Sequence, residues 1–308
     1  RQRQMCIRDR PRSFLDIIQL GDLVWLSKDN ITKTIFLTQI PEVQSALISI
    51  DPKSGSILAS VGGYDFFLSK FNRVEQASPL LGSNFKPFLY AAAFSNGFTP
   101  SSLINDAPII FEDETLEEKW RPRNASGKFY GPTRLREGLL QSRNLVSVRL
   151  LRELGVDKVR SFAEKFGFDK QRLPADLSLS LGTASLNPLS NAVAYSVFAN
   201  RGLLKELYLY LDKDLSSLKN PKRVLNEGTA LKIEDMLLET VNARYGTGRK
   251  AGVNGLLIAG KTGTAERIVK SEKEYTATFS GYSVERDPSL LIVVVLRGLK
   301  GELHSGGE

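Results

Sequence analysis

Ser83 and Lys86 are the first residues along the chain whose types and spacing could perform nucleophilic chemistry. They lie three residues apart in "LLGSNFKPFLYAAAF". Residues three apart share a face of a helix, so the lysine amine can reach the serine hydroxyl. Serine becomes a nucleophile when a base removes its proton, and lysine can be that base when burial or a nearby positive charge lowers its pKa. Taken alone, the pair is more often a helix N-cap followed by a surface lysine.

The surroundings of Ser83 favour the chemical interpretation over a second copy of the motif. A helix is predicted over 84–95, which places Ser83 at its start, where backbone N–H groups stabilise a developing negative charge. The second Ser-x-x-Lys pair, Ser216 and Lys219, lies in a polar run followed directly by Pro221. No apolar neighbours are available there to desolvate the lysine, so this copy is predicted to be a surface loop.

A serine and an asparagine in "LLQSRNLVSVRLL" form a second motif. Ser142 and Asn144 fall between two predicted helices, where a turn can direct a hydroxyl and an amide into a cleft. In isolation such a pair is usually a helix cap. Ser185 and Asn187 match the same spacing, but Pro188 follows them, which indicates the start of a helix.

The third motif is Lys261-Thr262-Gly263-Thr264, inside a predicted strand. Gly263 would let a ligand approach the backbone closely. Thr262 and Thr264 offer hydroxyls, and Lys261 offers a positive charge. The glycine spacing of a phosphate-binding loop is missing.

The order and spacing of these motifs raise their combined significance. Ser142 follows Ser83 by 59 residues, and Lys261 follows Ser142 by 119. Ser-x-x-Lys on a helix, Ser-x-Asn at a helix break and Lys-Thr-Gly on a strand are together typical of penicillin-binding proteins and serine β-lactamases. The sequence therefore predicts that Ser83 is a nucleophile.

The composition excludes several other kinds of site. The formal net charge is +8, and half of it comes from the first 13 residues, which hold five arginines and one aspartate. The other +4 is spread along the chain without a basic stripe, which argues against nucleic-acid binding. The single histidine, His304, lies near the C-terminal end, so a serine–histidine triad is disfavoured and a histidine metal cluster is excluded. Cys6 is the only cysteine, so no disulfide within the chain can form. No apolar run is long enough to span a bilayer.

The elements that must position these motifs suggest an α+β domain. Residues 14–44 read as short extended pieces, and a hairpin is predicted over about 46–63. Three β-rich runs follow late in the chain, "GLLIAGKTGTAERI", "YTATFSGYS" and "LLIVVVLRG". With the hairpin they predict a five-stranded antiparallel sheet with helices on both faces. Helices are predicted over 84–95, 134–142, 144–154, 157–166, 188–200 and 227–244.

Beyond the motifs, long segments resemble class A penicillin-binding proteins, in particular their 1A type. They include "VQSALISIDPKSGSILASVGGYDF", "SKFNRVEQASPLLGSNFKPFLYAAAF", "WRPRNASGKFYGPTRLREGLLQSRNLVSVRLL" and "LSLSLGTASLNPLSNAVAYSVFANRG". The resemblance implies the transpeptidase fold over 46–308, cut short at its C-terminal end, preceded over 14–45 by the end of an inserted β domain or linker. Residues 1–13 are expected to be a non-native or disordered leader.

The resemblance also implies a mechanism. Ser83 would attack the carbonyl between the terminal D-alanines of a peptidoglycan stem peptide, and Lys86 would take its proton. Ser142 and Lys261 would relay a proton to the leaving amine, while Asn144 would hold the substrate amide. Lys261, Thr262 and Thr264 would bind the substrate's terminal carboxylate, and Gly263 would be a further substrate-binding residue. The backbone N–H groups of Ser83 and Thr264 would form the oxyanion hole.

The implied cellular setting is the periplasmic face of the bacterial inner membrane, with an anchor and a glycosyltransferase domain outside this sequence. Stem peptides and β-lactam antibiotics are the expected partners, with envelope regulators as further candidates. Neither a cofactor nor a metal is expected.

Three alternatives stay open at this level. The late runs "KTGTAERIVKSEKEYTATFSGYS" and "PSLLIVVVL" are more similar to class B penicillin-binding proteins. A serine β-lactamase of class A would need a glutamate to hydrolyse its acyl-enzyme, and residues 165–187 offer only Asp169 and Asp176. A β-lactam sensor would share the same motifs but couple them to a signalling domain.

Overall fold

The computed structural model describes residues 13–109, 120–209, 220–269, 271–284, 289–300 and 305–307. The chain divides into two compact units, and the boundary falls between Glu42 and Val43. The assignment of the leader and of 14–45 to particular domains stays a prediction.

The described part of the first unit contains a short antiparallel hairpin. Its strands are β1 (Trp25–Lys28) and β2 (Ile35–Thr38). Asp29 begins the connecting turn, where its carboxylate accepts hydrogen bonds from the backbone N–H groups of Ile31 and Thr32. Such a bond to the chain's own backbone replaces the strand ladder and fixes the turn.

The second unit is built on a five-stranded antiparallel sheet, as predicted. Its strands are β3 (Gln44–Ile50), β4 (Ile57–Val61), β9 (Leu257–Val269), β10 (Glu272–Val284) and β11 (Leu291–Leu299). They are arranged in the order β4-β3-β11-β10-β9. β9, which carries the Lys-Thr-Gly motif, is therefore an edge strand with one side open to other elements.

Two short strand pairs were not predicted. Their strands are β5 (Leu103–Asp106) with β6 (Gly131–Arg134) and β7 (Leu203–Leu204) with β8 (Lys222–Arg223). The pairing of β5 with β6 brings residues 120–130 back toward the helical part of the unit.

The predicted helices are all present, and each observed end lies within two residues of the predicted one. The helices are α1 (Lys86–Phe94), α2 (Leu135–Leu140), α3 (Asn144–Leu154), α4 (Val156–Glu164), α5 (Pro188–Ala199) and α6 (Glu227–Asn242). α5 contacts β3, β10 and β11, and α6 contacts β9. Ala46, Ile48 and Ile50 of β3 are buried. These alternate residues lie on one face of the strand, as expected for a sheet face that packs against a helix.

α1 is the central helix of the core, since all of its residues are buried. Helices that are buried all round occur in the cores of large domains. The ring of Phe88 packs against four aromatic rings with centroid separations of 4.9–5.3 Å, those of Phe166, Phe168, Tyr195 and Phe198. The core thus fixes the helix whose first residue is Lys86.

Candidate active site

Ser83 lies in a 3-10 turn, Gly82–Phe85, that leads directly into α1. The helix therefore begins at Lys86, two residues later than predicted. No side chain caps either the turn or α1, so the interpretation of Ser83 as a helix cap is wrong. Residues three apart in such a turn share one side, but the structure directs the Lys86 amine to Ser142 and Asn144 and shows no hydrogen bond between Lys86 Nζ and Ser83 Oγ.

Glycines allow this turn to touch two other backbone segments. Gly82 has a φ of +55°, and a Cβ there would lie 2.6 Å from the carbonyl oxygen of Thr264. Its N–H donates to the carbonyl of Gly182 at 2.9 Å, where a Cβ on Gly182 would in turn collide with Gly82. The position of the Ser83 turn relative to β9 is thus fixed by direct backbone contact.

The amine of Lys86 is buried and converges on the second motif. Its Nζ donates to the carbonyl oxygen of Ser142 at 2.6 Å and to Asn144 Oδ1 at 2.8 Å, and it lies 3.2 Å from Ser142 Oγ. Burial lowers the pKa of Lys86 well below its usual range, and the nearby charge of Lys261 lowers it further. A neutral amine that gives two N–H groups to the oxygens keeps one lone pair with which to accept a proton.

Ser142 occupies a strained turn between α2 and α3. Its φ is +54°, a value that costs a residue other than glycine about 1 kcal/mol or more and that is concentrated at functional sites. The turn is held by backbone bonds from the N–H of Ser142 to Leu139 and from the N–H of Arg143 to Gly138. The strained conformation presents both the carbonyl and the hydroxyl of Ser142 to lysine amines.

Lys261 reaches the same hydroxyl from the sheet. Its Nζ lies 3.1 Å from Ser142 Oγ and 3.0 Å from the carbonyl oxygen of Thr262. Burial lowers the pKa of Lys261 to about 7, so its amine is partly neutral at physiological pH. The Ser142 hydroxyl therefore lies between two buried amines, and it can pass a proton between them because a hydroxyl both donates and accepts.

The glycine of the third motif has a different role from the predicted one. A Cβ on Gly263 would lie 2.5 Å from the carbonyl oxygen of Leu81 and 2.6 Å from Asn84 Nδ2. The close approach that Gly263 permits is therefore that of the Ser83 turn. The Asn84 amide strengthens this contact, since its Nδ2 donates to the carbonyls of Lys261 and Thr278.

Two threonine hydroxyls of the motif are positioned by residues that sequence reasoning missed. Thr262 Oγ1 donates to Thr247 Oγ1 at 3.2 Å, and Thr264 Oγ1 accepts from the N–H of Gly306 at 3.0 Å. Thr247 lies in "YGTG" between α6 and β9, where glycines on both sides signal a loop but give no hint of its destination.

The motifs share one cleft of about 650 Å³. Ser83 and Ser142 line it together with Asn144, Thr262 and Thr264, and Lys86 and Lys261 reach it through Ser142. The sequence analysis missed the polar lining residues Asn124, Ser126, Tyr130, Gln141, Arg143, Thr183, Thr247, Glu266 and Ser305.

The competing residues are structural or fall outside the described part of the chain. Asn187 caps α5, as predicted, since its Oδ1 accepts from the N–H of Ser190 at 2.8 Å. Asp169 and Asp176 cap 3-10 turns by accepting from backbone N–H groups. The polar stretch with Ser216 and Lys219, the leader with Cys6, and His304 all lie outside the described residues.

One carboxylate, that of Glu266, lines the cleft among the described residues. Its Oε1 forms an ion pair with Lys273 Nζ at 2.8 Å. Histidine, cysteine and acidic side chains do not cluster as a metal site anywhere in the described ranges. No helix in that part of the chain is both long and apolar enough to cross a bilayer.

Comparison with protein families agrees with the sequence resemblance. The family model for the penicillin-binding protein transpeptidase domain matches residues 46–308. Penicillin-binding protein 1A of Pseudomonas aeruginosa is 46% identical over 281 residues, which cover 87% of this chain and 34% of the relative. Penicillin-binding protein 1A of Escherichia coli is 45% identical over 194 residues, 63% of this chain and 23% of the relative. The chain thus spans about a third or less of the length of these relatives.

Solved structures of penicillin-binding proteins share this fold. Penicillin-binding protein 1A from Haemophilus influenzae superposes with a TM-score of 0.78 and 29% identity, covering 92% of this chain and 48% of that one. The transpeptidase domain of Burkholderia pseudomallei penicillin-binding protein 3 superposes with a TM-score of 0.70 at 21% identity, which supports the fold alone. The predicted fold and the resemblance to the 1A type are confirmed.

Proposed function

The chain belongs to the penicillin-binding protein transpeptidase family, and from this premise we propose that it cross-links peptidoglycan stem peptides through an acyl-enzyme on Ser83. One observation carries this proposal: two buried amines, those of Lys86 and Lys261, meet at the Ser142 hydroxyl beside the cleft that Ser83 lines. A protein core rarely holds two lysines unless their shifted pKa values are used.

The first step uses Lys86 as the general base. Ser83 Oγ attacks the carbonyl carbon between the two terminal D-alanines while its proton passes to the neutral Lys86 amine. The amide C–N bond then breaks, and the leaving D-alanine amine takes a proton through Ser142. The strained Ser142 turn supports this role, because its hydroxyl already lies within hydrogen-bonding distance of both amines.

The second step transfers the acyl group to an amine of another stem peptide. That amine loses a proton to the same lysine–serine pair as it attacks the ester carbonyl, and Ser83 Oγ is released with its proton restored. Because proton transfers of this kind are each worth about 10²–10⁴-fold in rate, both amines must be able to exchange protons near neutral pH.

The remaining cleft residues would bind the substrate. The Thr264 hydroxyl accepts from the N–H of Gly306, so its O–H is free to donate to the terminal carboxylate of the donor peptide, with Lys261 behind it. The Thr262 hydroxyl would join it by rotating its O–H away from Thr247. Asn144 donates one N–H to the carbonyl of Arg123, which leaves its second N–H for a peptide carbonyl. The backbone N–H groups of Ser83 and Thr264 would form the oxyanion hole, and β9 suits this task because it is an edge strand.

β-Lactams would acylate Ser83 in place of the peptide. Class A β-lactamases use a glutamate to activate the water that hydrolyses the acyl-enzyme, and the one carboxylate of the described cleft, that of Glu266, is held in an ion pair with Lys273. We therefore propose a slowly deacylating target enzyme in preference to a β-lactamase.

The full-length protein is proposed to combine this activity with a glycosyltransferase, and to act at the periplasmic face of the bacterial inner membrane. These proposals rest on the similarity to penicillin-binding proteins 1A. Identity over most of this chain also favours the 1A type over the class B alternative.

A labelling experiment tests the acyl-enzyme. Fluorescent penicillin should label the folded chain covalently, and Ser83→Ala should abolish the label. Ser216→Ala is the matched control because Ser216 also precedes a lysine by three residues, and it should label like the wild type. Sustained turnover of nitrocefin, rather than a single burst, would instead establish a β-lactamase.

A further inference from the structure

A buried polar network lies behind the Ser142–Asn144 turn and is not part of the signature motifs. Asp106 at the end of β5 is fully buried, and its carboxylate accepts from Asn124 Nδ2 at 2.7 Å and from Arg143 Nη1 at 3.0 Å. The Arg143 guanidinium also stacks on the ring of Tyr130, 3.3 Å from its centroid. Arg143 Nε is the one buried side-chain atom of Asp106, Asn124 and Arg143 without a hydrogen-bond partner, and a network so nearly satisfied restrains its members to one arrangement.

Asn124 connects this network to the start of α3. Its Oδ1 accepts from the backbone N–H groups of Asn144 at 2.9 Å and Leu145 at 3.2 Å, while its Nδ2 donates to Asp106 and to the carbonyl of Lys128. Arg143, the residue before the helix, supplies no side-chain cap. Asn124 thus caps α3 from 20 residues upstream in the chain.

The same segment sets the orientation of the Asn144 amide. Asn144 Nδ2 donates to the carbonyl of Arg123 at 2.8 Å, which leaves Oδ1 facing Lys86 Nζ. A rotated amide would present N–H groups to Lys86 and remove an acceptor from the lysine. The backbone and the side chain of Asn144 are therefore both held by residues 123 and 124.

From this geometry we propose that Asn124, supported by Asp106, is a positioning residue for the Lys86–Ser142–Asn144 constellation. Asn124 has all four of its hydrogen-bonding positions occupied within the protein, so it has none left for a substrate. Its effect is exerted through Asn144 and through the strained Ser142 turn. This inference rests on the proposed acylation of Ser83.

The first test compares two helix caps. Asn124→Ala should slow acylation of the full chain by fluorescent penicillin about 10²-fold, since small misplacements of reacting groups have effects of that size. Asn226→Ala is the matched control, because Asn226 caps α6 in the same way, accepting from the N–H of Gly228 at 2.8 Å. It should lower the melting temperature by less, because only one exposed side-chain bond is lost, and leave the acylation rate unchanged.

The second test exchanges the side chains of Asp106 and Asn124, which are hydrogen-bonded to each other. In Asp106→Asn the amide offers one acceptor oxygen, whereas Asn124 and Arg143 need two. In Asn124→Asp two carboxylates face each other, so the acylation rate of this variant should fall as pH rises and both carboxylates ionise. The double variant D106N/N124D restores the hydrogen bond between positions 106 and 124, now donated by the amide at 106, and keeps the bond from Arg143. The carbonyl of Lys128 still loses its donor, because a carboxylate at 124 can only accept. The acylation rate of the double variant should therefore exceed that of Asn124→Asp, even if Asn124→Ala folds poorly.

The outcomes separate this inference from the proposed function. Equal slowing by Asn124→Ala and Asn226→Ala, or a double variant no faster than Asn124→Asp, would overturn the positioning role alone. A wild-type chain that takes up no label would refute the acyl-enzyme, and the positioning role with it.

Discussion

Replacing Lys261 with methionine should stabilise the fold while it impairs the chemistry. The pKa of Lys261 falls from an ordinary 10.5 to about 7 in the folded chain because the amine is buried. Between these pH values the unfolded chain binds more protons than the folded one, so the wild-type free energy of unfolding rises with pH from about 7 to about 10.5. At pH 7 the shift corresponds to about 4 kcal/mol of lost stability.

The methionine variant avoids this cost but loses two hydrogen bonds of the amine, to Ser142 Oγ and to the carbonyl of Thr262. At about 1 kcal/mol for each bond, the net gain is about 2 kcal/mol. For a unit of this size that corresponds to an increase in melting temperature of about 4–8 °C. Acylation by fluorescent penicillin should meanwhile fall by about 10²-fold or more.

The assay is urea unfolding of the wild type and Lys261→Met at several pH values from 7 to 10, with the exposed Lys158→Met as the control. The stability advantage of Lys261→Met should be largest at pH 7 and shrink as pH rises, whereas Lys158→Met should follow the wild type. A Lys261→Met chain that is less stable at pH 7, or that keeps the wild-type pH dependence, would refute the low pKa of the buried amine.

Three more predictions follow from the same geometry. The acylation rate of the wild type should fall as pH is lowered through about 7, because Lys261, whose pKa is lowered to about 7, becomes protonated and can no longer accept a proton from Ser142. A flat profile from pH 6 to 8 would contradict this. Ser142→Gly and Ser142→Ala both lose the hydroxyl's bonds to Lys86 and Lys261 and should both slow acylation. Ser142→Gly should be about 1 kcal/mol more stable than Ser142→Ala, because glycine relieves the positive φ; equal stability of the two variants would argue against strain at Ser142. Gly82→Ala should abolish labelling by fluorescent penicillin, because its Cβ would displace the Ser83 turn from Thr264. Gly97→Ala is the control: Gly97 also has a positive φ, but no atom lies within 4 Å of the new Cβ, so this variant should only lower the melting temperature. Normal labelling of Gly82→Ala would show that the contact with β9 is dispensable.

The sequence allowed the motifs and the main elements to be predicted because both depend on local patterns. The β-branched runs of β9, β10 and β11 and the caps of α5 and α6 can be recognised within short windows. The order of the three motifs then indicated one site, although residues 83, 142 and 261 lie on separate elements.

What could not be predicted depends on contacts between distant segments. Asn124 looks like an ordinary loop asparagine until the pairing of β5 with β6 brings it to the start of α3. Gly263 was expected to admit a ligand, and only the fold shows that its missing side chain makes room for Leu81 and Asn84. The 3-10 turn at Ser83 was likewise read as helix, since its backbone is set by Thr264 and Gly182 rather than by local propensity.

The proposed acyl-enzyme mechanism depends most on which residue is the nucleophile. Tandem mass spectrometry of the penicillin-treated chain identifies that residue directly. We expect one penicilloyl group per chain, attached to Ser83 and absent when the chain is unfolded before treatment. A group attached to another serine, or no covalent adduct on the folded chain, would contradict the proposed mechanism.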